Sequence, residues 1–115
     1  MQQGAYYVVE RPDFIARFLI GNDRPETAPE ADVHVELADG TTRYVTFYTL
    51  PAIDEVLRRH QKTGEAAGSA YFWSTDLVIV PEPGVPAMTR AIEELVRSGD
   101  IESACQMIPR SGSDD

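Results

Sequence analysis

Two histidines, one cysteine and nineteen carboxylates are the groups in this 115-residue chain that could transfer protons or attack a substrate. A thiol nucleophile needs an imidazole within hydrogen-bond reach and an acid to orient that imidazole. Cys105 lies in IESACQMI, where its alanine and methionine neighbours point to packing. His60 continues the apolar stripe of a helix, and His34 stands on the polar side of an alternating segment. No local spacing joins these three to an acid, so no catalytic set is expected. Two histidines and one cysteine far apart also lack the short ligand spacings of zinc sites, so neither metal nor cofactor is expected.

The remaining motifs are structural by the same reasoning. GNDRPE, GEAAGS and PEPGVP match neither phosphate-binding glycine fingerprint. Asp54-Glu55 and Glu93-Glu94 are helix neighbours pointing about 100° apart, so neither pair converges on one atom. Asp76 interrupts the most apolar run, GSAYFWSTDLVIV. An ionised aspartate within a buried apolar face would cost several kcal/mol unless paired. The sequence therefore predicts a corner at Ser74-Thr75-Asp76, or an edge position facing water. An enzyme or ligand binder with a pocket near Asp76 and His60 ranks last among the functional readings.

These residues need elements to position them. AYYVVE (residues 5–10) reads as a strand closed by Pro12, and FIARFLI after Asp13 as a short helix. Residues 21–32 read as an acidic surface loop. VHVEL and TRYVTFYT alternate around Asp39-Gly40, which predicts a hairpin. Thr49 and Pro51 open a helix whose stripe is Ile53, Val56, Leu57 and His60, ended by Gly64. Tyr71-Phe72-Trp73 and Leu77 to Val80 are read as strand. Met88, Ile92, Leu95 and Val96 mark another helix ended by Gly99, and Asp100 caps a last short one. The expected fold is a single α+β domain over residues 1–109 with a polar tail at 110–115. It has an antiparallel sheet of four or five strands and two main helices on one face.

Charge narrows the partners. Nineteen acids against ten bases give a net charge of −9. This disfavours nucleic acid and anionic membrane surfaces and permits a basic protein partner, the plainer alternative being that acidity only confers solubility. The lone cysteine, and an N-terminus without a basic-then-apolar leader, are expected of a cytoplasmic protein. Tyr44, Tyr48, Tyr71 and Trp73 are expected on strands, placing aromatic area on a second sheet face. Asp23, Glu26, Glu30 and Asp32 lie in the acidic segment. Together they are read as the interface of a non-catalytic protein-interaction module, such as a bacterial immunity-type antagonist of a basic partner. Homodimerisation through the sheet is the second reading.

Overall fold

The computed structural model describes Gln2–Gln3 and residues 6–108; the tail expected at 110–115 lies outside the described residues. Six strands follow chain order across one sheet: β1 (Gln2–Gln3), β2 (Tyr6–Arg11), β3 (Phe14–Leu19), β4 (Glu30–Leu37), β5 (Thr42–Thr49) and β6 (Leu77–Val80). All neighbours are antiparallel except β5 and β6, which run parallel. The parallel pair needs a crossover, supplied by α1 (Leu50–Thr63) and a short turn, α2 (Glu65–Ser69). Helices α3 (Val85–Ser98) and α4 (Ile101–Ala104) complete an α+β fold, the class expected from the sequence.

Alternation divides the sheet into a dry face and a wet one. Phe14, Ala16 and Phe18 of β3, Val33 and Val35 of β4, and Val45 and Phe47 of β5 are buried together. Met88 and Ile92 of α3, Ile101 of α4 and Cys105 close over them, with Leu95 and Val96 packed alongside. Ala52 and Val56 of α1 are buried outside this cluster. The α1 residues Glu55 and Arg59 act electrostatically on Glu30, at the opposite face. Ile53, Leu57 and His60, expected in the buried stripe, are half-buried.

The segment expected as a helix after Asp13 is β3. Pro12-Asp13 is a two-residue turn, and Arg11 pairs with Phe14. Both periods fit these six residues, because Phe14 and Phe18 share a face in either. Pairing on both sides, to β2 and to β4, satisfies every backbone group that a six-residue helix would leave open. The acidic loop is likewise not purely a surface loop, since Ala28 is fully buried. Its carbonyls hold α3 in place: Gly84 N–H donates to Ala28 (2.9 Å) and Val85 N–H to Pro25 (2.7 Å).

Helix punctuation follows the sequence where the backbone demands it. Thr49 is extended, and its hydroxyl accepts from Ala52 N–H (3.3 Å) while donating to the Pro29 carbonyl (3.1 Å). In the hairpin, Thr41 donates to Asp39 through both its N–H (2.9 Å) and its hydroxyl (2.7 Å). These bonds hold the Asp39 carboxyl below the usual range. Asp100 makes no side-chain cap, and α4 stops at Ala104. The chain then turns extended, and Met107 bridges to Arg43.

Candidate functional site

The cross-strand registers write out the wet face row by row. One row is Val8, Arg17, His34 and Tyr44; the next is Tyr6, Leu19, Asp32, Thr46 and Leu77; the last is Glu30, Tyr48 and Ile79. In the middle, the His34 ring stands 5.8 Å from Tyr6 and 5.2 Å from Tyr44, tilted to one and edge-on to the other. Such offset contacts favour aromatic pairs. Arg17 is engaged by Glu36 at 3.2 Å.

At the end of these rows lies a depression of about 180 Å³. Asp23 from the loop, Glu30 and Asp32 from β4, and Thr46 and Tyr48 from β5 line it. Thr46 donates to Asp32 at 3.4 Å, and no ion pair reaches Asp23, Glu30 or Asp32 among the described residues. Burial, and then the nearby Asp23, push the Glu30 carboxyl above its ordinary range; Arg59 opposes this, while Asp32 and Glu55 add to it. Burial followed by Glu30 and Asp32 raises the Tyr48 hydroxyl, with Arg59 opposing. Burial followed by Asp32, Tyr6 and Asp76 raises Tyr44. Both phenols therefore stay protonated at neutral pH. The depression is a negative site that no ion pair closes and that Arg59 offsets only in part, with the neutral Tyr48 hydroxyl in its lining, suited to a cation.

Of the residues expected at an interface, Asp23, Glu30, Asp32 and Tyr48 meet in this depression, with Tyr44 on the same face. Glu26 does not join them. Its exposed carboxylate lies 3.7 Å from Arg24, and its main chain packs under Gly84 near α3. Tyr71 and Trp73 are exposed in an irregular segment rather than on a strand. Phe72 between them turns inward, its ring 5.0 Å from Tyr48. Sequence reasoning missed Tyr6 and His34 as face partners, because register rather than composition brings them together.

Asp76 is a corner. Its φ is +56°, in the left-handed region that aspartate tolerates better than most residues. Its carboxylate accepts from Gln106 N–H at 2.7 Å, and its carbonyl accepts from Thr46 N–H at 2.9 Å. No hydrogen bond or ion pair links it to His60 among the described residues. Cys105 is buried, and burial first, then Asp76, pushes its thiol up to about 11, with Arg43 opposing. It is therefore a thiol rather than a nucleophilic thiolate at neutral pH. Among the described residues, no group of three histidine, cysteine or carboxylate side chains could hold a metal ion, and no helix is long and apolar enough to cross a membrane. No protein-family model, curated protein or solved structure matches the chain.

Proposed function

We propose that this protein is a non-catalytic interaction module whose wet sheet face binds a basic protein. The observation that carries the reading is the depression in which Asp23, Glu30 and Asp32 converge with no ion pair among the described residues and only Arg59 acting on Glu30 at range. Their mutual repulsion is relieved when an arginine or lysine enters. The half-exposed rings of Tyr6, Tyr44 and Tyr48 offer adjacent contact area at low entropic cost and can take a cation on their faces. A net charge of −9 accelerates encounter with a basic surface and opposes pairing of two copies through this face. An antagonist that caps a basic protein is one form such a module takes.

Affinity capture from the native cell lysate tests this, using wild type beside Asp32→Lys and Trp73→Ala. The reading expects one basic protein, lost with Asp32→Lys and weakened by salt. Capture of an acidic protein, or of the chain's own copies alone, sinks it.

A further inference from the structure

Strand β6 ends the sheet with an edge protected by little besides its shortness. Leu77-Val78-Ile79-Val80 contains no charge, proline or bulge. Thr46 N–H donates to the Asp76 carbonyl, which fixes the phase of the parallel ladder. Val78 and Val80 thus direct their N–H groups toward β5, while Leu77 and Ile79 direct theirs away from the sheet. The Ile79 side chain is 49% exposed. Its row-mate Tyr48 carries the Phe72 ring, from which the exposed Tyr71 and Trp73 splay.

We infer that β6 accepts an extended, cationic segment of a partner protein as a further strand. The inference rests on the basic-partner reading and names its mode of attachment. Charge decides the occupant: a second copy would bring another −9, whereas a lysine-bearing strand arrives with the opposite sign. Glu30 and Asp32 stand on the face of Ile79 and Leu77 but on β4, about 14 Å from an added strand at roughly 4.8 Å per strand, so they attract its cationic side chains through the field of that face and not by contact. The turn at Thr75-Asp76 and Pro81 bound the edge, limiting the ladder to about four residues.

The test is a titration of isotope-labelled protein with acetyl-Val-Lys-Val-Lys-Val-Lys-amide, read at backbone amides. Expected are shifts at Leu77 and Ile79, and binding about tenfold weaker for Ile79→Pro, which removes an outward N–H but no bond to β5. Ile79→Lys keeps that N–H and repels the peptide, so it should weaken binding even if the proline variant misfolds. No shift at either amide, or equal binding of the peptide with Glu in place of Lys, overturns the inference. So does a wild-type dimer that Ile79→Lys converts to monomer. If a captured basic protein is lost with Asp32→Lys but kept by Ile79→Pro and Ile79→Lys, strand addition fails while the basic-partner reading stands.

Discussion

Both faces of the sheet are made from the same strands, residue by alternate residue, and they have opposite characters. On one, Phe18, Val33, Val45 and Phe47 are fully buried beneath α3 and α4. On the other, Arg17, His34, Asp32 and Tyr44 occupy equivalent positions and stay partly in water. The dry face holds the chain together through buried apolar area, which is non-directional and tolerant of detail. The wet face buries only Val8 and Thr46 in its rows and otherwise holds charges and rings in register. Stability and recognition are thus separated by a side-chain period of two.

That separation can be broken most forcefully from the dry side. Phe47→Ala should cost about 3–5 kcal/mol in denaturant unfolding, whereas Tyr44→Ala, three residues away on the other face, should cost below about 1.5 kcal/mol. Equal losses would mean that the wet face is also core. Next in size is Gly84→Ala. Gly84 has φ +104°, and a Cβ there would stand 2.3 Å from the Glu26 carbonyl oxygen. A cost of about 2 kcal/mol or more is expected, with loosening of the loop that carries Asp23.

Asp76 joins elements rather than faces. Asp76→Ala should cost about 1–2 kcal/mol, by leaving Gln106 N–H without an acceptor and placing alanine in the left-handed region. Asp76→Asn, which keeps both an acceptor and that tolerance, should lose less by thermal unfolding. The smallest effect has the opposite sign. Glu30's carboxyl is raised in the fold, so the fold binds its proton more tightly than the unfolded chain does. Its contribution is present below the unfolded value and is lost as pH rises through the folded one. At pH 7 Glu30→Gln should therefore raise Tm, by about 1–3 °C since much of the group remains solvated, and the gain should vanish below about pH 4.

How much of this was readable follows from which interactions are local. The β4–β5 hairpin, the Thr49 cap and the Met88–Ile92 stripe are set by residues within one turn or one strand of each other, and sequence periodicity reports them. The segment Phe14–Leu19 carries both periods, so only its pairing with β2 and β4 decides it. Tyr71-Phe72-Trp73 has strand composition, yet no neighbouring strand accepts it, and Phe72 packs on Tyr48 instead. The depression was half visible. Acidic residues near Asp23–Asp32 are plain in the sequence, but the turning away of Glu26 depends on a contact with Gly84, far along the chain.

The outer edge of β5 is divided between two short partners. Thr46–Thr49 pair with β6, while Tyr44 N–H donates to the Gln106 carbonyl (2.9 Å) and Ile108 N–H to the Thr42 carbonyl (2.7 Å). The first half of that strand is therefore finished only when residues 106–108 have been made, long after its second half can close. A chain cut before Gln106 would leave residues 42–44 of β5 with bare N–H and carbonyl groups, an open template for a strand of another molecule.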